Sequence, residues 1–475
     1  MEILKTELFP HQVDCIQYFQ EHDKFLLNDG MGLGKTIESI ACALSKPDIK
    51  HVLVISCVSG MQFAWRNEVT KFTYEGAFIL GLRRQKKSGK EYISSVADRL
   101  QDLESKPAEK FWITNKDTLR NKDFKDAVHK MSLRGEITMC IIDEIHFLRN
   151  SKTATGKAIH AINCKYKIGL TGTPLMNNPL DLFNLLKWVG AEKHNYYQFE
   201  RYYAVKGGFG GYEIVGYKHL DELKVKFSEV SLRRKKDLLE LPPKIRTIEF
   251  VELSSEQKKL YNEVWKGIID NVDKVRLLPN PLVELTRLRQ VTVCPSIISS
   301  TITKSSKVER LMELLEEIID SGEKAVVFSN WSQVVSEVNS ILTKNKFSTA
   351  TITGDLPMKV RDEVMQDFQE TENVSVLLGT TGAMGTGLTL TRAHTAIFLD
   401  EPWTYGALEQ AEDRIYRIGT KTSVNIIYLQ CPGTLDEKIH KIIMDKKELS
   451  DEIIDGKMTA NTSRAIFDEL VKGGL

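Results

Sequence analysis

A glycine-rich stretch, Asn28-Asp29-Gly30-Met31-Gly32-Leu33-Gly34-Lys35-Thr36, lies between a short apolar run at residues 24–27 and a helical pattern from Thr36 to Leu44. That setting restricts the fold more than any other feature of the chain. A glycine-rich turn from strand to helix lets backbone N–H groups crowd around phosphate oxygens, and the helix N-terminus favours their charge. The lysine then reaches the β- and γ-phosphates, and the threonine hydroxyl can ligate Mg²⁺. Such a turn belongs to an open α/β sheet, whose ligands bind at the carboxyl edge of the strands. Its first position departs from the strict pattern, because Asp29 stands where glycine is usual. On its own the string also fits a flexible loop.

A second feature narrows the reading. The chain runs Thr138-Met139-Cys140-Ile141-Ile142-Asp143-Glu144-Ile145-His146, a mostly apolar run followed by two acids. This describes a buried strand that delivers carboxylates at its C-terminal end. Asp143 is placed to hold Mg²⁺, and Glu144 to orient and deprotonate the attacking water. A solvated acidic turn would look the same in isolation. Paired with the loop at Lys35, the acids point to nucleotide hydrolysis.

The surroundings repeat. Strands are expected at residues 25–28, 51–56, 78–81, 111–114, 138–143 and 167–171, with helices at 60–72, 151–162 and 180–189. The alternation restarts near Ser306, with strands at 325–329, 348–352, 374–378, 395–399 and 425–429 and helices at 307–319, 333–344 and 360–370. Each half predicts a mostly parallel sheet with helices on both faces. The organisation read from this is a nucleotide-binding lobe over 1–190, a helical insertion and linker over 191–305, a second lobe over 306–450 and a tail over 451–475. Two such lobes imply a cleft in which hydrolysis drives relative motion. The middle segment carries Tyr196, Tyr197, Phe199, Tyr202 and Tyr203, read as insertion core rather than as a base-stacking platform.

Composition adds exclusions. A chain of 475 residues with a net charge of +1 has no overall basic excess, so a nucleic-acid surface must be a local groove. The seven cysteines include no Cys-x-x-Cys pair and read as free thiols in a reducing compartment. There is no signal-peptide pattern, and no apolar run approaches the roughly 20 residues that cross a bilayer. No membrane partner is expected. The compartment expected is the cytoplasm, beside the nucleoid, for a bacterial or phage protein, or the nucleus for a eukaryotic one.

Near the end of the second half stands Glu409-Gln410-Ala411-Glu412-Asp413-Arg414-Ile415-Tyr416-Arg417-Ile418-Gly419. If this is one helix, Gln410, Arg414 and Arg417 share a face. Two guanidinium groups there can act as arginine fingers on a γ-phosphate, an effect on the order of 10³ to 10⁵ in rate in other nucleotidases. Without the phosphate loop, the same residues describe an amphipathic surface helix.

At this point the chain resembles the Swi/Snf (Snf-two) family of helicase-like ATPases, double-stranded DNA translocases with two RecA-like lobes. The resemblance runs from Leu8 to about Leu449. Leu8-Phe9-Pro10-His11-Gln12 is similar to the family's entry motif, which implies that Gln12 reads the adenine. Asp29 to Thr36 resembles motif I, in which an aspartate at the first position is habitual. Phe111-Trp112-Ile113-Thr114 resembles motif Ib and Asp143 to His146 motif II, with Ile145 in place of alanine. Gly169 to Pro174 with Asn177-Asn178 resembles motif III. Leu232-Arg233-Arg234-Lys235-Lys236-Asp237-Leu238 with Leu241-Pro242-Pro243-Lys244 is diagnostic. Leu288-Arg289-Gln290 and Pro295 echo a further element, with Cys294 in place of histidine. Val326 to Trp331 resembles motif IV, Gly385 to Thr391 motif V and the arginine segment motif VI, with Thr420 in place of glutamine.

The resemblance implies ATP and Mg²⁺ as cofactors. It implies a nucleotide site of Gln12, Asp29, Gly30, Met31, Gly32, Leu33, Gly34, Lys35, Thr36, Gly385 and Gly387, with Thr36 and Asp143 on the metal. Lys35, Asp143, Glu144, Gln410, Arg414 and Arg417 would carry the chemistry. His146, Thr171, Thr173, Trp331, Thr380 and Thr381 would couple it to DNA. The expected partner is the phosphate backbone of duplex DNA, with little sequence readout, and a protein recruiter. Leu388 to Thr391, Glu401-Pro402-Trp403 and Glu409 to Arg414 lean towards a branch of fork-remodelling, strand-annealing and bacterial or phage members. No bromodomain, chromodomain or zinc finger accompanies these motifs, so a chromatin role is not expected. A strand-separating DNA or RNA helicase and a DNA-binding scaffold without turnover remain as alternatives.

Overall fold

The computed structural model describes residues 4–30, 32–57, 61–85, 91–149, 153–172, 179–207, 213–234, 241–276, 282–385, 390–417, 420 and 422–450. Met31, Thr173, Gly387, Asn177, Asn178 and the tail expected at 451–475 lie outside them. The chain divides into two units, Met1–Leu239 and Glu240–Leu475.

In the first unit β1 (Lys24–Leu27), β2 (His51–Ser56) and β3 (Ala77–Ile79) lead to an antiparallel pair, β4 (Leu82–Arg84) with β5 (Glu91–Ile93). There follow β6 (Phe111–Asn115), β7 (Ile137–Ile142), β8 (Tyr166–Leu170), a second antiparallel pair β9 (Ala204–Gly207) and β10 (Glu213–Tyr217), and β11 (Ser231–Leu232). Seven of these form one sheet in the order β11-β1-β8-β7-β2-β6-β3, and every pairing is parallel. Parallel pairing puts the C-terminal ends of β1, β7 and β8 on one edge. The turn after β1 and the acids after β7 are therefore separated by a single strand.

The side chains explain the layering. Along β7, Met139 and Ile141 join one buried cluster with Phe25, Val54 and Ile168, while Cys140 and Ile142 join another with Leu26, Leu53 and Trp112. A strand buried on both faces needs a continuous apolar run rather than an alternation, which is what residues 139–142 supply. Helices close both faces, among them Lys35–Ser45, Met61–Phe72 and Leu182–Val189.

The second unit repeats the plan. Its strands are β12 (Lys244–Phe250), β13 (Ala325–Ser329), β14 (Thr349–Ile352), β15 (Val376–Thr380), β16 (Thr395–Phe398) and β17 (Val424–Gln430). They form an all-parallel sheet in the order β12-β17-β16-β13-β15-β14. Val326, Phe328, Leu377 and Phe398 pack on one face, and Val327, Val376, Leu378 and Ile397 on the other. The molecule is thus α/β, with two doubly wound parallel sheets.

The segment 191–305 is shared between the two units. Its early part belongs to the first unit: Phe199 and Tyr203 are buried with Phe183 in that unit's core, and β11 pairs with β1. Its later part belongs to the second, where β12 pairs with β17. Both strands lie on sheet edges. β11 has two residues and β12 is largely exposed, so neither carries the apolar run that marks a central strand. Tyr197 and Tyr202 of the aromatic group are exposed, and Tyr202 donates a hydrogen bond to Glu222.

Candidate active site

The phosphate loop is built as its glycines require. Gly32 and Gly34 have φ of 79° and 91°, in the left-handed region that glycine adopts without penalty. A Cβ on Gly34 would also lie 2.6 Å from Gln12 Nε2. Gln12 is buried against the loop: its Nε2 donates to the Leu33 carbonyl at 3.3 Å and its Oε1 accepts from Phe9 N–H at 3.0 Å. His11 Nε2 lies 2.9 Å from the same carbonyl. Lys35 opens the helix, and its Nζ donates to the carbonyls of Asp29 and Gly30 at 2.8 and 3.2 Å. Thr36 follows on the first turn of that helix.

Asp29 accounts for the loop's unusual first position. It is fully buried and receives Arg234, whose Nε and Nη2 donate to its carboxylate at 2.9 and 2.5 Å and whose backbone N–H donates at 2.8 Å. Arg234 Nη2 also reaches buried Glu38 at 2.7 Å, and its Nη1 donates to the His11 carbonyl. Burial, and then the neighbouring Asp29, push the Glu38 carboxyl up to about 8.

The acids stand at the same sheet edge. Burial first, and then Glu144, push the Asp143 carboxyl up to about 6, against a hydrogen bond of 2.8 Å from the indole N–H of Trp65. Glu144 has φ of 50°, a left-handed conformation that is uncommon outside glycine and collects at functional sites. His146 Nδ1 lies 3.1 Å from Glu144 Oε2. Burial pushes the Lys35 ammonium down, opposed most by Glu144 and then by Asp29, Glu38 and Asp143. Lysine and acids are therefore one electrostatic cluster. Thr171, at the end of β8, is buried, and its N–H donates to the Leu27 carbonyl at 3.1 Å.

In the second unit, Thr380 caps the short helix Thr381–Met384, accepting from Ala383 N–H at 3.3 Å, and Thr381 Oγ1 donates to the Ser329 carbonyl at 3.3 Å. A Cβ on Gly385 would meet the Thr381 carbonyl at 2.6 Å and would lie 3.8 Å from Gln410 Oε1, so the elements carrying these residues converge. Trp331 sits at the N-terminus of the helix Ser332–Lys344, with the Arg289 guanidinium 5.0 Å from its ring centre. Arg289 is buried between Trp331 and Trp403, beside Asp400.

The arginine segment departs from the expected single helix. The helix Tyr405–Glu412 ends before either arginine. Arg414 N–H bonds back three residues to Ala411, and its carbonyl accepts from Leu390 N–H at 2.9 Å. Gln410 therefore lies on the helix while Arg414 and Arg417 lie in the turn that follows. Glu412, the last residue of that helix, is fully buried under Lys244 and Arg246, with Tyr428 OH donating to it.

Residues 11–318 match the SNF2-related domain, and residues 306–419 match the helicase conserved C-terminal domain. The chain belongs to the SNF2-related family of helicase-like ATPases. It is similar to an uncharacterized ATP-dependent helicase of Mycoplasma pneumoniae, at 26% identity over 94% of this chain and 42% of that one. It is also similar to the DNA annealing helicase and endonuclease ZRANB3 of Bos taurus, at 27% identity over 96% of this chain and 41% of that one. The chain thus spans about two fifths of the length of these relatives. The solved Sulfolobus solfataricus SWI2/SNF2 ATPase core in complex with dsDNA aligns over 99% of this chain and 97% of that one, at 25% identity and a TM-score of 0.42.

Within this SNF2-related chain the structure adds participants that the sequence did not assign. Arg234 and Glu412 stand in the segments Leu232 to Leu238 and Glu409 to Gly419, but nothing in their spacing names Asp29 or Lys244 as partners. Trp65 offered no signal, since a tryptophan on an amphipathic helix looks like core.

Proposed function

We propose that the chain is an ATP-dependent double-stranded DNA translocase, which moves along the phosphate backbone and remodels DNA or DNA–protein complexes without processive strand separation. The observation that carries the hydrolytic half is the cluster of Lys35, Asp143 and Glu144 on one sheet edge, close enough for each acid to act on the lysine's charge. Lys35 would hold the β- and γ-phosphates, with the loop's backbone N–H groups around them. Glu144 would orient and deprotonate the water, while Arg414 and Arg417 stabilise charge on the transferring phosphoryl group. Gln410, Gly385 and Gly387 would serve the same step from the second unit. His146, Thr171, Thr173, Trp331, Thr380 and Thr381 would relay it to DNA.

The donor set suits Mg²⁺. Thr36 and Asp143 offer oxygen ligands, and Asp143 and Glu144 are adjacent, half-buried acids, with burial first and then Glu144 pushing the Asp143 carboxyl up. Magnesium keeps several waters and takes phosphate oxygens, so it needs no protein cage, and no cluster of three or more His, Cys, Asp or Glu occurs among the described residues. Bound there, Mg²⁺ would neutralise charge on the phosphates.

The translocating half rests on family membership and on the segment Leu232 to Lys244. Similarity to an ATP-dependent helicase of Mycoplasma pneumoniae supports a second reading, a strand-separating helicase. Two assays decide. Duplex DNA is expected to stimulate ATP hydrolysis far more than RNA does. A triplex-forming strand is expected to be displaced with ATP while a plain duplex stays paired. Efficient unwinding of the plain duplex would favour the helicase. Among the described residues no helix is long and apolar enough to cross a membrane.

A further inference from the structure

The boundary between the units falls between Leu239 and Glu240, and the described residues that flank it on either side are tied to buried carboxylates. On the first side the backbone is zippered beside β1: Leu26 N–H donates to the Val230 carbonyl, Asn28 N–H to Leu232 and Gly30 N–H to Arg234, at 2.8–2.9 Å. Arg234 then turns inward, its side chain 11% exposed, and its guanidinium serves Asp29, Glu38 and the His11 carbonyl together. Asp29 opens the phosphate loop, Glu38 lies on the helix that Lys35 begins, and His11 stands beside Gln12 on the helix Pro10–Glu21. One side chain therefore reaches the loop's first residue and two of the helices beside it. Arg234 grips the Asp29 carboxylate through two donors of a rigid fork while reaching Glu38 and the His11 carbonyl, a geometry that the point-like ammonium of lysine does not reproduce.

On the other side, β12 begins at Lys244. Lys244 Nζ lies 2.8 Å from Glu412 Oε2 and 3.4 Å from Asp413 Oδ1, and Arg246 makes two bonds to Glu412, at 3.0 and 2.6 Å. Lys244 also lies 5.0 Å from the ring centre of Tyr416, between the two arginines in sequence. Glu412 closes its helix directly before the turn of Arg414 and Arg417. Buried ionic clusters are a poor source of stability, because desolvation offsets much of the attraction. What such clusters do supply is a fixed position. Two of them, one on each side of the boundary and each on a catalytic element, form a pattern that stability alone does not require.

We propose that the residues flanking the boundary between the units position the hydrolytic machinery: Arg234 holds the phosphate loop through Asp29 and Glu38, and Lys244 with Arg246 holds the Arg414–Arg417 turn through Glu412. Arg234, Lys244 and Arg246 are assigned as positioning residues, which act through the groups they hold. The inference rests on the hydrolytic reading above, and it makes the two anchors separable. Loss of the first disturbs nucleotide binding. Loss of the second leaves binding intact and slows turnover.

The test uses the full chain and measures mant-ADP affinity together with kcat and KM for ATP, with and without duplex DNA. Arg234→Gln is expected to weaken mant-ADP binding and raise KM by about tenfold or more, and Arg234→Lys to recover only part of this. Glu412→Gln is expected to keep mant-ADP affinity within about twofold while lowering DNA-stimulated kcat by about tenfold or more. Lys224→Ala, at an exposed position on the helix Leu220–Ser228, is expected to match the parent in both. Thermal melts identify a variant that fails to fold, and in that case Arg234→Lys and Arg246→Lys carry the test. Folded Arg234 and Glu412 variants that behave like Lys224→Ala would overturn the proposal. A Lys35→Ala variant that still binds and turns over ATP would overturn the hydrolytic reading instead, so the two failures are distinct.

Discussion

Single atoms decide much of the chemistry proposed for this site, and Trp65 shows how. Its indole N–H donates a hydrogen bond to Asp143, a carboxyl that burial and Glu144 push upward. A hydrogen bond to a charged group contributes about 1.5–3 kcal/mol. Trp65→Phe keeps an aromatic ring in a site that is 2% exposed and removes that donor. The Mg²⁺ concentration giving half-maximal ATPase activity is therefore expected to rise by about tenfold. An unchanged Mg²⁺ titration would mean that Asp143 is not the metal ligand. Glu144 makes a different claim. Glu144→Gln keeps the shape and removes the base, so mant-ATP binding should persist while kcat falls by about 10²–10⁴. Lys35→Ala should lose binding and turnover together. These residues were legible in the sequence because glycines, one lysine and paired acids at strand ends are scarce in combination. Trp65 and Arg234 were not, because their partners lie far away along the chain, 205 positions for Arg234 and Asp29.

Elements were legible where burial leaves a mark. The central strands β2 and β13 fall at the expected residues, since an apolar run between turns has few other uses. The edge strands β11 and β12 left no such mark, and the helix expected through Arg417 stops at Glu412, an end that side-chain periodicity does not record. Two predictions belong to this scale. Gly34→Ala forces a side chain onto a φ of 91° and into Gln12, and is expected to destabilise the first unit by about 1–2 kcal/mol and to weaken nucleotide binding. A melt and a mant-ADP titration equal to the parent would place the strain elsewhere. His160, on the helix Ala154–Ala161, has its pKa pushed from 6.5 to about 4 by burial, with Lys167 and Lys187 adding repulsion. Between those values the unfolded chain binds the proton and the folded chain does not, so stability falls as pH drops from about 6.5 towards 4. The melting temperature should follow, and His160→Gln should flatten that fall. Parallel pH profiles in the two proteins would exclude His160 as the cause.

At the scale of the whole molecule, the boundary between the units changes what a dissection can mean. A first lobe ending near residue 190 was the natural reading, because the β/α alternation stops there. The structure instead carries the first unit to Leu239, with β11 on its sheet edge and Arg234 against Asp29 and Glu38. Truncation at 190 removes Arg234, the cation bonded to the fully buried carboxylates of Asp29 and Glu38. Leaving a buried charge without its partner costs about 3–5 kcal/mol, a large share of a domain's stability. The fragment 1–190 is therefore expected to melt well below the fragment 1–239, and to bind mant-ADP far more weakly. The longer fragment keeps Lys35, Asp143 and Glu144 but lacks Arg414 and Arg417. It should bind nucleotide and hydrolyse almost none of it, with no response to duplex DNA. Arg417→Ala in the full chain should reproduce that state: nucleotide affinity and DNA binding near the parent, and DNA-stimulated turnover lost, because the contact is made mainly in the transition state. Lysine at 417 should rescue poorly, since a point charge does not replace a fork on a phosphate. DNA-stimulated turnover by the fragment 1–239, or near-normal turnover in Arg417→Ala, would place the complete active site within the first unit and remove the reason for a two-unit motor.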